Sequence, residues 1–446
     1  MSGFGGAGSA GRALIGDAAR LCRGRWRALP PAARTTSVLL AVLITGGVVL
    51  RLWNIGFPPR FTFDEQHFVP NARAYLLGQA DDNDHPPLGK LLIAAGLLLF
   101  GDNPTGWRAA SLIFGLQSLV VAGAVARELF ADRRAGWYAA AFLAADGFFL
   151  AYSRTALLDG ALTCLVLWSF LAALTACTWR GVLACAALVG LAASVKWSGG
   201  MAFLPAAAAV VILGRAPRWS VLLLVVAPIV HVLLWLGTFP LSGRALDLHA
   251  LLVQMRELLR HHVALGREHN PLASPWYTWP VLYHPIVVKL ADHGTGRRYA
   301  SSLGHPLLFL SSTVAVSSAM LAGLAAALST RVRHRVVGVL SRLSLSSPVI
   351  GRAAGLLTVG WLAMLAPWMI GRGSYTFIYH YLPSYGFALI LVSGMAAHLE
   401  RRWPRALTGY LGLVLLLAIF FAPVWAEFPL AEAAANRRLM FVPWQP

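Results

Sequence analysis

Long apolar runs, separated by short arginine clusters, leave this chain few folds to choose from. A run of about twenty uncharged residues out of water satisfies its backbone polar groups only as a helix or in a closed barrel, and only a helix fits runs this long. Such runs recur from Thr36 to Trp425. Hydrophobic residues make up 58% of the 446 and charged residues 12%, with a mean hydropathy of +0.65. A soluble domain carries about a quarter of its positions charged. The net charge of +19 does not indicate nucleic acid, because the basic residues lie in small clusters between runs and form no single patch. Cytoplasmic loops of a multispan protein are arginine-rich in this way.

Drawn by length and arginine placement, the spans are Thr36 to Ile55, Trp107 to Val125, Gly136 to Tyr152, Ala161 to Thr178, Val182 to Val195, Gly200 to Leu213, Trp219 to Phe239, Pro306 to Leu328, Ala353 to Ile370, Phe377 to Ala397 and Leu407 to Trp425. That makes about eleven transmembrane helices in an all-α polytopic membrane protein. Leu91 to Phe100 is too short to cross and is expected to lie in the outer interface. With that choice Arg127/Arg133/Arg134, Arg180, Arg215/Arg218, Arg331/Arg333/Arg335/Arg342 and Arg401/Arg402/Arg405 all fall inside. The amino terminus is then cytoplasmic and the carboxyl terminus external. Residues 1–35 read as a disordered basic arm containing Cys22, 36–425 as one membrane domain, and 426–446 as an external tail. Cys164, Cys177 and Cys185 lie in apolar segments, so no external disulfide framework is expected.

With the topology set by arginine alone, the polar motifs gather on the external face. The first external loop, 56–106, holds Asp64, Glu65, the Asp84-His85-Pro86-Pro87 segment and Lys90. A helix starting at Asp64 sets the two acids about 100° apart, free to hold different jobs. The two prolines are expected to stop that helix. Arg108 opens the second span, Arg154 and Asp159 bracket TALLDG, and Lys196-Trp197-Ser198-Gly199 follows the fifth span. The long external loop, 240–305, carries an amphipathic surface helix, Leu246 to Leu265, then His269 to Pro280 with Trp276 and Trp279. Taken singly, each has a plainer account: a solvated acidic loop, a snorkelling arginine, an aromatic membrane belt, an interface histidine. His261-His262 are adjacent on one helix and face no common site, so no metal site is expected.

Phe63-Asp64-Glu65-Gln66-His67-Phe68 followed by Asp84-His85-Pro86-Pro87-Leu88-Gly89-Lys90 resembles the signature of protein O-mannosyltransferases, polytopic GT-C glycosyltransferases that use dolichyl-phosphate-mannose. Asp146-Gly147, Arg154 through Asp159, Lys196 through Gly199 and Phe377 through Pro383 (FIYHYLP) resemble further blocks of that family. Two blocks depart from it: Ala109-Ala110 stands where the family has Leu-Pro after Arg108, and His305 where it has Asn.

The resemblance implies a GT-C fold without an added soluble lumenal domain. It implies inverting transfer of mannose from a polyprenyl-phosphate-mannose lipid to Ser/Thr hydroxyls of secreted or membrane polypeptides at the external face of the cell membrane. It further implies Asp64 as general base, Glu65 orienting acceptor or sugar hydroxyls, Lys90, Arg108, Arg154, Asp159, Lys196, Tyr379 and His380 around the donor phosphate and sugar, and His85, Trp276 and Trp279 as acceptor or sugar wall. No cofactor is expected. Two rivals stay open: a GT-C transferase with a glycolipid or cell-wall glycan acceptor, and a transporter. Transporters usually show paired repeats and midplane polar residues, neither of which is visible here.

Overall fold

The computed structural model describes residues 29–214, 216–265, 270–293, 296–328, 347–370 and 376–439. The expectations for Cys22 and most of the basic arm, Arg215, His269, Arg331 to Arg342, Arg372 to Tyr375 and the last seven residues lie outside that set. Every expected span corresponds to a helix or a pair of helices. In chain order these are α1 (Pro31–Leu52), α2 (Glu65–Leu76), α3 (Leu88–Phe100), α4 (Pro104–Phe130), α5 (Arg133–Ala145), α6 (Gly147–Tyr152), α7 (Asp159–Thr175) and α8 (Trp179–Val195). There follow a 3-10 turn (Trp197–Ala202), α9 (Phe203–Leu213), α10 (Val221–Leu236), α11 (Thr238–Leu241) and α12 (Leu248–Leu265). The last helices are α13 (Pro306–Leu328), α14 (Pro348–Ile370), α15 (Leu382–Glu400), α16 (Pro404–Trp425) and α17 (Glu432–Arg438). Among the described residues seven helices are long and apolar enough to cross a membrane, with α3, α7, α8 and the Trp197–Leu213 segment shorter apolar helices.

The centre of the bundle is α15, which packs against α4, α5, α7, α13 and α14 and is buried along nearly its whole length. Its sequence explains this. Ser384, Gly386, Ala388, Ser393, Gly394, Ala396 and Ala397 are small, and small residues let helix backbones approach where no water drives association. At Gly394 a Cβ would fall 2.2 Å from the Phe130 ring. The same device joins α1 to α5, where a Cβ on Gly47 would sit 2.3 Å from the Ala144 carbonyl oxygen.

Three local features differ from the sequence expectation. The third span is not one helix: the backbone turns extended at Asp146, dividing α5 from α6. The break frees backbone groups that buried side chains take up. Asp146 Oδ1 accepts from Phe149 N at 3.1 Å, while Arg51, wholly buried, donates to the carbonyls of Leu143 and Ala144 at 2.9 and 3.1 Å. Secondly, Pro86-Pro87 do not stop α2. That helix closes earlier in a Schellman turn, with Gly78 at φ +72° and Gln79 N donating to Ala74 O at 2.8 Å, and Pro87 instead caps the start of α3.

The third difference is a small antiparallel sheet in an otherwise helical chain. Strand β1 (Val287–His293) pairs with β2 (Gly296–Ser301), and β2 with β3 (Leu430–Ala431) from the carboxyl-terminal tail. The tail is thereby tied to the long loop, and Glu427 N donates to Tyr299 O at 3.1 Å. His305 caps the start of α13. His305 Nδ1 accepts from Leu308 N at 3.4 Å as a helix cap, which leaves the proton on Nε2 to donate to Val414 O at 2.9 Å.

Candidate active site

The neighbouring acids at the start of α2 have opposite surroundings. Glu65 is fully buried and its two oxygens accept five hydrogen bonds: from Arg108 Nε and Nη2 at 2.8 and 2.9 Å, Thr62 N and Oγ1 at 3.1 and 2.9 Å, and Ala156 N at 2.9 Å. Burial alone would raise its pKa, but the Arg108 guanidinium and these donors hold the carboxyl below its ordinary value. Asp64 occupies the cap position one residue earlier and is only half-buried. Burial pushes its carboxyl up to about 6, against the pull of Lys196 and His67, with Asp159 and Asp84 pushing it further up. One carboxylate is locked as a strut and the other is poised to exchange a proton near neutrality.

Around Asp64 the expected residues from distant parts of the chain converge. Lys196, at the exit of α8, reaches both Asp159 oxygens at 3.0 and 2.9 Å, and its ammonium lies 5.1 Å from the centroid of the Tyr379 ring. Tyr379 contacts Phe63 edge-on at 6.0 Å and His380 at 4.4 Å. The His380 ring stacks on Trp368 at 3.7 Å, with Trp279 behind at 6.1 Å. Phe377 N donates to His380 Nδ1 at 3.2 Å, so the proton is on Nε2, which remains a donor. His85 lies 5.8 Å from Phe68 and 5.3 Å from His262 of α12. Burial, aided by the charges of Lys196 and Lys90, holds its imidazole well below the usual value and therefore neutral.

The other expected cations are brought to the same region but already hold counter-charges. Lys90, fully buried, bridges Asp81 and Asp84, the latter at 2.9 Å, and so pins the loop before α3. Arg108 also donates to the carbonyls of Ile55, Phe57 and Pro58. Arg154 donates to the carbonyls of Leu50, Arg51 and Trp53, closing the end of α1, and faces Glu427 at 3.5 Å. Glu427 also pairs with Lys289 of β1 at 2.9 Å, and Lys289 donates to Arg154 O. Sequence reasoning missed Glu427, Lys289, Arg51 and Trp368. The one available signal was Glu427, an isolated acid just past the last span of a basic chain.

Trp279 is buried and donates from Nε1 to Ser274 Oγ at 3.0 Å, whereas Trp276 is half-buried and packs edge-on against Tyr277, apart from the histidine stack. Among the described residues no group of three His, Cys, Asp or Glu side chains is placed to hold a metal ion.

Two family profiles match this chain. One, described as dolichyl-phosphate-mannose-protein mannosyltransferase, covers residues 84–238, and the other, the C-terminal four-TMM region of protein-O-mannosyltransferase, covers 248–433. The polyprenol-phosphate-mannose–protein mannosyltransferase of Mycolicibacterium smegmatis (strain mc(2)155) is 34% identical over 131 residues, 27% of this chain and 25% of the relative. That of Mycobacterium tuberculosis (H37Rv) is 31% identical over 196 residues, 36% of this chain and 37% of the relative. The matching stretches thus span 25% and 37% of these curated relatives' lengths. The fold is shared with the Saccharomyces cerevisiae protein O-mannosyltransferase Pmt1-Pmt2 complex bound to its sugar donor, at TM-score 0.72, 12% identity and 92% coverage of both chains.

Proposed function

We propose, from the premise that this chain belongs to the protein O-mannosyltransferase family, that it moves mannose from a polyprenyl-phosphate-mannose lipid to a Ser or Thr hydroxyl of a polypeptide, at the external membrane face. The observation that carries the mechanism is the division of labour between Asp64 and Glu65. Asp64, half-open with its carboxyl raised to about 6, takes the hydroxyl proton as the acceptor oxygen attacks C1. The C1–O bond to phosphate breaks on the opposite face with oxocarbenium character, and the polyprenyl phosphate departs as an anion. In this reading Glu65 orients no hydroxyl, because its oxygens are already engaged. It positions Asp64 by fixing the start of α2.

In this reading the leaving phosphate is received by donors that lie close to Asp64. His380 Nε2–H and Lys196 fill that role, with Asp159 holding the ammonium in place and the Tyr379 face beside it. Arg108 and Lys90 act one step back, since both are engaged by carboxylates and fix the loops that carry the reacting groups, whereas Arg154 is tied to the end of α1 and faces Glu427 with its Nε and Nη2 lacking a hydrogen-bond partner. Trp279 and Trp368 back the His380 ring and keep it oriented. The arginine clusters support an orientation with the amino terminus inside and this site outside.

Mass spectrometry of secreted proteins from a strain lacking this gene tests the acceptor class. Loss of hexose from Ser/Thr sites supports the reading; retention of all such hexose, with a truncated glycolipid or cell-wall glycan, points to the glycan acceptor instead.

A further inference from the structure

The end of the bundle remote from Asp64 holds a cavity of about 360 Å³ lined by Cys177, Thr178, Trp179, Ala216, Arg218 and Trp219. Helix α8 runs from Trp179 at this cavity to Val195, next to Lys196 of the candidate site, and its 17 residues at about 1.5 Å each separate the two by about 25 Å. That is close to one hydrocarbon thickness. We propose that this cavity binds the phosphate headgroup of an anionic glycerophospholipid from the leaflet opposite the candidate active site.

Three observations converge. Arg180 lies 5.4 Å from the Trp179 ring centroid and Arg218 5.4 Å from that of Trp219, so two arginine–tryptophan pairs flank one opening. Both arginines are exposed, and among the described residues neither pairs with a carboxylate, whereas Lys90, Arg108, Arg154 and Lys196 at the other end all do. Two uncompensated guanidinium groups beside a cavity at the membrane boundary suit a phosphate, which they bind through paired N–H donors. Next to the cavity, the first turns of α8 and α10 turn apolar side chains outward: Leu183, Val221, Leu224 and Val225 are all exposed. Those side chains give acyl chains a path along the helices, which a free anion has no use for.

The test uses the purified full chain in detergent, with Cys22 replaced by Ser so that Cys177 is the exposed thiol beside buried Cys164 and Cys185. Phosphatidylglycerol, phosphatidylcholine and inorganic phosphate are added separately, and bound lipid is counted by native mass spectrometry while Cys177 is titrated with a maleimide. Phosphatidylglycerol is expected to be retained over phosphatidylcholine and to slow Cys177 labelling. The Arg180→Gln/Arg218→Gln protein is expected to weaken retention roughly thirtyfold, the share of two interfacial arginines. Arg402→Gln, which alters a third arginine–tryptophan pair, at Trp403, should change nothing. Equal retention of both lipids, full retention by the double variant, or absence of Cys177 protection overturns the proposal. Displacement of phosphatidylglycerol by inorganic phosphate also overturns it, marking a small-anion site.

Discussion

Arg108→Met removes the contact that separates the two acids. Methionine keeps the apolar stem of arginine but removes the guanidinium, so Glu65 loses its two bonds from that group, at 2.8 and 2.9 Å, and the carbonyls of Ile55, Phe57 and Pro58 lose a donor. It stays fully buried, with Thr62 and Ala156 as remaining donors. Breaking a buried ion pair by removing one partner costs about 3–5 kcal/mol, and two hydrogen bonds to a charged group at about 1.5–3 kcal/mol each give a similar sum. The wild-type carboxyl lies below its unfolded value, so its stabilisation is full above the unfolded pKa and is lost as pH falls through the folded one. In the variant burial dominates and Glu65 rises above its unfolded value. What stability remains is then greatest at low pH and lost as pH rises through that raised value. Denaturant unfolding followed by tryptophan fluorescence at several pH values measures both effects. The Glu65→Gln/Arg108→Met protein should recover about 2 kcal/mol or more relative to the sum of the single changes. An Arg108→Met protein as stable as wild type, with unchanged pH dependence, would refute the strut assignment.

Other expectations follow from the same geometry. Because Asp64 works as the carboxylate and its pKa is raised to about 6, kcat/KM should climb as pH passes upward through about 6; a flat profile from pH 5 to 8 would count against it as the base. His380→Asn keeps an acceptor for Phe377 N but removes the Nε2 donor, so kcat should fall roughly a hundredfold with little change in peptide KM. An equal loss in an enzyme whose thermal midpoint has also dropped would assign the residue to packing. Glu427→Gln strands Arg154 and Lys289 without their shared counter-charge and should cost about 3 kcal/mol in denaturant unfolding. An unshifted midpoint would mean the tail contributes nothing to the site's frame.

The spans were legible because burial in lipid demands long uncharged runs, and arginine placement alone put Asp64, Asp159, Lys196 and His380 on one end, where the structure brings them together. What stayed hidden depends on single residues and on distance along the chain. The helix break at Asp146 is invisible in an apolar run because one buried aspartate and one arginine from another helix compensate it. The roles of Asp64 and Glu65 differ through a one-residue offset on a helix start, which sequence spacing permits but does not assign. The sheet joins strands more than a hundred residues apart, and the partner of Arg154 lies in a tail with no motif of its own.

The account depends most on Asp64 doing chemistry on a lipid-bound sugar with a polypeptide acceptor. Purified wild type and Asp64→Asn protein, each incubated with polyprenyl-phosphate-mannose and a Thr-rich peptide, test this when peptide mass and bound donor are both read. The account predicts one or more added hexoses with wild type, and none with the variant, which still binds donor. Hexose transfer by Asp64→Asn at the wild-type rate would contradict it.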